Sequence, residues 1–115
     1  MNDVHLTKRA RILLDELYRE YTRRENQDVP RFQARLFGGA DEIQRDLLQT
    51  WREDDIRDVC AELADNEMLE IISGDDDVLM LWLTDQGIAW AQTSGARKRA
   101  AFWETVGKIR SLLPW

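Results

Sequence analysis

The stretch IRDVCAELADNEMLEIISGDDDVLMLWLTDQG, residues 56–87, decides how this chain folds. Ile56, Val59, Cys60 and Leu63 recur at steps of three and four, the mark of an amphipathic helix with one apolar stripe. Asn66 follows as a residue able to take the left-handed conformation that ends a helix. Leu69–Ile72 and Val78–Leu83 then read as two strands around Ser73-Gly74-Asp75-Asp76-Asp77, a β-hairpin. Strict alternation puts Val78, Met80 and Trp82 on one face of the second strand and Leu79, Leu81 and Leu83 on the other. A strand apolar on both faces must be covered twice or expose an apolar patch.

Upstream, a short helix is predicted after Gly39, with Asp41 as cap and Ile43, Leu47 and Leu48 facing inward. The next helix opens on a Thr50/Glu53 capping box or on Asp54 as cap, so two helices meet across a brief turn, a helix-turn-helix pattern. Leu6, Ala10, Leu13, Leu14, Leu17, Tyr18 and Tyr21 form the stripe of a first helix that begins at Thr7 and ends within Arg23 to Asp28. Between them, Phe32, Leu36 and Phe37 suggest a short helix or irregular bridge pinned to the core by those side chains.

Downstream, Thr84 caps a helix through Ile88, Ala89, Trp90 and Ala91, and Ser94-Gly95 breaks it. A final helix is expected from about Arg97 to Leu113, with Phe102, Val106, Ile109 and Leu113 as its stripe and Trp103 beside it. Leu63-Ala64-Asp65-Asn66-Glu67-Met68-Leu69-Glu70-Ile71 looks like the recognition-helix exit of the winged-helix superfamily. Leu83-Thr84-Asp85-Gln86-Gly87, at the end of the second wing strand, resembles the Leu-Thr-x-x-Gly signature of MarR-like and PadR-like regulators. The layout is also similar to the small YjcQ-like winged-helix family, down to the aromatic Trp90 three residues after the glycine. The signature has a physical sense: the leucine closes the core, the threonine caps the next helix and the glycine admits close approach. Glu67 stands where these families commonly have glycine, and Asn66 is the expected substitute. The resemblance implies nucleic-acid binding in the MarR-like and PadR-like groups and no settled function in the YjcQ-like one.

These readings predict a mainly α protein with a small β-hairpin wing: a winged helix-turn-helix domain over residues 1–96, and a C-terminal amphipathic helix over residues 97–115 packing on the wing or on a partner. At 115 residues one core suffices without metal or disulfide. Cys60 is the only cysteine, which excludes an intrachain disulfide, and neither a signal peptide nor a membrane span is visible, so a cytoplasmic protein is expected.

Charge narrows the partner. Residues 41–96 hold fifteen Asp or Glu against Arg45, Arg52 and Arg57, whereas residues 97–115 hold five basic side chains and one acidic. A winged helix reading DNA sets its third helix in the major groove and its wing tip on the backbone, where phosphates repel carboxylates. Asp54, Asp55, Asp58 and Glu62 on that helix and Asp75, Asp76 and Asp77 at the wing tip are instead the candidate surface for a basic protein partner, although a simply solvated face has the same composition. Met80, Trp82, Phe102, Trp103, Val106, Ile109 and Leu113 are the candidate self-association surface, in a homodimer or as cover within one chain. Membrane-surface attachment is a third reading of the C-terminal helix, disfavoured by its short apolar face. Were nucleic acid the ligand, Arg52, Arg57, Lys8, Arg9, Arg97, Lys98 and Arg99 would have to carry it.

No catalytic site, metal site or cofactor is expected. His5, the only histidine, lacks a sequence-near partner, Cys60 belongs to a core stripe, and consecutive aspartates lack the alternating ligands of a calcium loop. The sequence therefore predicts a non-enzymatic regulatory binding module acting through protein–protein contacts, with a DNA-binding transcriptional regulator as the alternative.

Overall fold

The structure is a computed structural model and describes residues 5–75 and 77–93. The chain runs α1 (Lys8–Asn26), α2 (Arg31–Ala34), β1 (Leu36–Gly38), α3 (Ala40–Asp46), α4 (Glu53–Asp65), β2 (Leu69–Gly74) and β3 (Asp77–Leu83), followed by helical residues 85–93, here α5. The expected C-terminal helix over 97–115 lies outside the described residues. Among the described residues no helix is long and apolar enough to cross a membrane.

The stripe on α1 buries Ala10, Leu13, Leu14, Leu17 and Tyr21, and the Thr7 hydroxyl accepts the Ala10 N–H at 3.2 Å as its cap. The helix ends as the Asp28 and Val29 N–H groups donate back to the carbonyls of Glu25 and Arg24, with Asp28 at φ 63°. Ile56, Val59, Cys60 and Leu63 of α4 are buried against this helix and the sheet, as their spacing predicts.

The caps of α3 and α4 depart from expectation. Gly39, not Asp41, is the N-cap of α3, and Asp41 sits in the first turn, where its charge meets the positive end of the helix. Arg52 is the N-cap of α4 and makes no side-chain cap bond; neither Thr50 nor Asp54 plays that part. The acidic first turn Glu53-Asp54-Asp55 supplies the favourable dipole interaction instead. Gln44 Nε2 donates to the Trp51 carbonyl at 2.7 Å and fixes the turn between the two helices.

At the end of α4, Asn66 keeps φ −96° and its side-chain amide donates to the Glu62 carbonyl at 2.9 Å. The left-handed residue is Glu67, at φ 63°. Glu67 N–H donates to Ala64 O at 3.0 Å and Met68 N–H to Leu63 O at 2.9 Å, the paired bonds of a Schellman ending, with Met68 and Leu63 both buried. The geometry requires the position normally held by glycine to be left-handed, and an amide side chain one residue earlier does not relieve it.

The expected β2–β3 hairpin forms, and β1 extends it to a three-stranded antiparallel sheet in the order β1-β3-β2. Leu36, Phe37 and Gly38 pair with Trp82, Leu81 and Met80, and on the other edge Glu70 and Ile72 pair with Trp82 and Met80. Phe37, Leu69, Leu81 and Leu83 turn inward and are buried. The register passes from Ile72↔Met80 to Ser73↔Val78, so Leu79 is an extra residue in β3. This bulge reverses the alternation: Val78 is buried with Leu81 and Leu83, not grouped with Met80 and Trp82.

Phe32 does not pin its segment to the core. Its side chain is 76% exposed, and Ala34 and Phe37 are the buried anchors. Two arginines hold the segment as well: Arg24 donates to Leu36 O at 2.7 Å, and Arg35 Nε donates to Leu83 O at 2.7 Å. Thr84 joins the sheet to α5, its hydroxyl accepting the Gly87 N–H at 2.9 Å and donating to Glu67 O at 2.6 Å. A Cβ on Gly87 would lie 2.1 Å from Met68 O, so the close approach expected at this glycine is real.

Candidate interaction surfaces

The acidic residues of α4 divide between two sides of the helix. Asp55 and Glu62, seven residues apart, turn toward the start of α1. Arg9 Nη1 lies 3.4 Å from Asp55 Oδ2, and the two Glu62 oxygens accept the Thr7 N–H and hydroxyl, both at 2.8 Å. Glu62 thus closes the N-terminus of α1 and is structural.

Asp54 and Asp58, one turn apart, occupy another side with the hairpin beside it. Arg57 spans the gap: its guanidinium pairs with Asp54 on the same helix, with Glu53 at 3.5 Å and with Asp77 of β3 at 3.3 Å. Hydrogen bonding to Asp54 holds the Arg57 pKa above its ordinary value. One guanidinium among three carboxylates leaves an anionic surplus. Asp54 keeps 85% of its side chain in solvent, and among the described residues Asp58 and Asp75 are exposed without an ion pair. Asp76 lies outside the described residues. Arg57 therefore brings Asp54 of α4 and Asp77 of β3 together, and Asp58 and Asp75 are exposed on the same helix and hairpin; of the other acidic residues singled out in the sequence, Asp55 and Glu62 turn toward α1.

The basic residues form a separate concavity. Lys8, Arg9 and Arg52 surround Trp51 in an open depression of about 640 Å³ that also includes Thr50 and Asp55. The Arg9 guanidinium lies 5.8 Å from the centroid of the Trp51 ring, a cation–π contact that holds it against the indole. Sequence reading identified the three cations but not Trp51, because the turn that brings residue 51 against α1 has no periodic signal. Arg97, Lys98 and Arg99 fall outside the described residues.

The third surface is the outer face of the sheet. Met80 is 38% exposed and Trp82 half-buried; Ile72, 46% exposed, stands across from Met80, and Leu36 across from Trp82. Phe32 shares an open groove of about 650 Å³ with Trp82. Phe102, Trp103, Val106, Ile109 and Leu113, expected to join Met80 and Trp82, lie outside the described residues. The sequence placed Phe32 and Leu36 as core anchors and Ile72 in a strand without a face, because their place depends on how β1, β2 and β3 pair.

Cys60 is fully buried, and loss of solvation pushes its thiol up to about 12, far from a reactive thiolate. His5 is exposed. Among the described residues no three His, Cys, Asp or Glu side chains gather in a way that could hold a metal ion. A smaller cavity of about 220 Å³ between α1 and α3 is bounded by Arg24, Phe37 and Glu42, and Arg24 stacks 4.5 Å from the Phe37 centroid. Its Glu20 carboxylate is held below its ordinary pKa, chiefly by hydrogen bonding to Arg23. Glu20 pairs with Arg23 and Arg24 within α1, and Arg24 reaches across to the Leu36 carbonyl, so these two arginines serve the fold.

Comparison with family models, curated proteins and solved structures returned no match.

Proposed function

We propose that this chain is a non-enzymatic winged-helix binding module whose acidic α4–wing face meets a basic segment of a partner protein. The element order supports the winged-helix part: a first helix, a short strand, two turn-linked helices and a hairpin, with β1 on the free edge of β3. The observation that carries the functional part is Arg57, which ties α4 to the tip of the wing at Asp77 and leaves Asp54 beside it in solvent. In DNA-reading winged helices this helix and wing are the elements that approach phosphate, and here they would meet it with like charge.

The test is a calorimetric titration of the chain with an arginine-rich peptide, repeated on the combined Asp54→Asn, Asp58→Asn, Asp77→Asn variant. The proposal expects binding that weakens by about ten-fold or more as these charges are removed. Equal binding by both chains, or none by the wild type, overturns it.

The DNA-binding alternative has one observation in its favour, the gathering of Lys8, Arg9 and Arg52 around Trp51. That reading transfers the contact from α4 to the start of α1. Arg57 contributes nothing to it, being engaged by three carboxylates.

A further inference from the structure

We infer that residues 97–113 of the same chain cover the outer face of the sheet, seating the Phe102, Val106, Ile109 and Leu113 stripe on Ile72, Met80 and Trp82. Across the sheet, Leu36, Trp82 and Glu70 stand in one row and Gly38, Met80 and Ile72 in the next, so four of six outward positions are large and apolar. Such a face on a domain this small needs an occupant.

Dimensions favour one helix. Three strands about 4.8 Å apart make a face about 10 Å wide, the diameter of a single helix. Seventeen residues in helical form would run about 25 Å, against about 23 Å for the seven residues of β3. Charge agrees as well: residues 97–115 hold five basic side chains and one acidic, and Glu67 and Glu70 border the groove beside Trp82, where Arg35 is already paired with Asp85.

Connectivity selects this chain over a second copy. Helical residues 85–93 rise about 13 Å, and the three residues that follow span at most about 10 Å, so residue 97 begins no more than about 23 Å from Thr84, at the Trp82 end of β3. So short a tether gives an effective concentration on the order of millimolar, above that of any second copy in dilute solution.

Disulfide trapping in the full chain tests this. Met80→Cys is combined in turn with Val106→Cys, Ile109→Cys and, as a control outside the stripe, Lys108→Cys; native Cys60 is buried and does not compete. Under mild oxidation, at least one stripe pair should close within a single chain, exceeding linked dimers by about ten-fold. Predominance of linked dimers overturns the proposal in favour of a second copy. Closure no better than the Lys108→Cys control overturns it outright. A companion readout needs no cysteine: Ile109→Asp should raise binding of a hydrophobic dye several-fold, and an unchanged signal counts against the cover. Neither readout involves the acidic face, so this inference and the proposed function can fail separately.

Discussion

Glu67 holds φ 63° with an exposed side chain, in the C′ position of the Schellman ending that turns α4 into β2. A left-handed L-residue costs about 1–2 kcal/mol, of which glycine would return part after its greater freedom in the unfolded chain is subtracted. Glu67→Gly should therefore raise stability by about 0.5–1 kcal/mol, read as a higher urea midpoint with an unchanged slope; a lower midpoint would contradict the geometry. The sequence marked this residue as anomalous but placed the conformation on Asn66, because propensity ranks residues without knowing which one the paired bonds to Leu63 and Ala64 will select. Cys60 was fully legible, since the i, i+3, i+4 pattern of α4 puts it in the core stripe. Its thiol should resist alkylation in the native chain near pH ~8 and react at once in denaturant. Native modification at the rate of a free thiol would mean that the stripe is open to solvent.

Among the elements, the helices with long apolar stripes were readable, and β1 was not. Three residues have no periodicity, and Leu36–Gly38 is a strand because its neighbours make it one. Arg24, projecting from α1, donates to the carbonyls of Ala34 and Leu36 while its guanidinium lies on Phe37, and Arg35 ties the other end to Leu83 O and Asp85. Arg24→Met should then cost about 1–3 kcal/mol and lower hydrogen-exchange protection in the β1–β3 ladder ahead of the β2–β3 ladder. Uniform loss across both ladders, or none, would show that the strand stands without this anchor. The bulge at Leu79 was illegible for a related reason. Alternating and non-alternating apolar residues look the same in Val78-Leu79-Met80-Leu81-Trp82-Leu83, and only pairing with Ser73 and Ile72 sets the phase.

At the scale of the whole molecule, folding brings arginines of residues 1–40 onto carboxylates of residues 41–96, as at Arg9–Asp55 and Arg35–Asp85. The excess of carboxylates in residues 41–96 is partly consumed by the fold, at Glu62 under Thr7 and at Asp55 under Arg9. Of the remainder, Glu53, Asp54 and Asp77 gather around Arg57, where α4 meets the hairpin, while Glu67, Glu70 and Asp85 border the groove beside Trp82. The candidate site was thus readable as a composition but not as a surface, because a one-dimensional count cannot tell a carboxylate that caps a neighbouring helix from one that faces solvent. The central claim is that this shared surface is too anionic to meet a polyphosphate. A fluorescence-anisotropy titration of a labelled mixed-sequence duplex with the full chain at about 50 mM salt tests it most directly. The account predicts no saturable binding even at about 10 µM protein, within the range of ordinary non-specific affinities. A dissociation constant near about 1 µM that rises steeply with salt, and survives Lys8→Ala with Arg52→Ala, would put the duplex on the α4–wing face and contradict it.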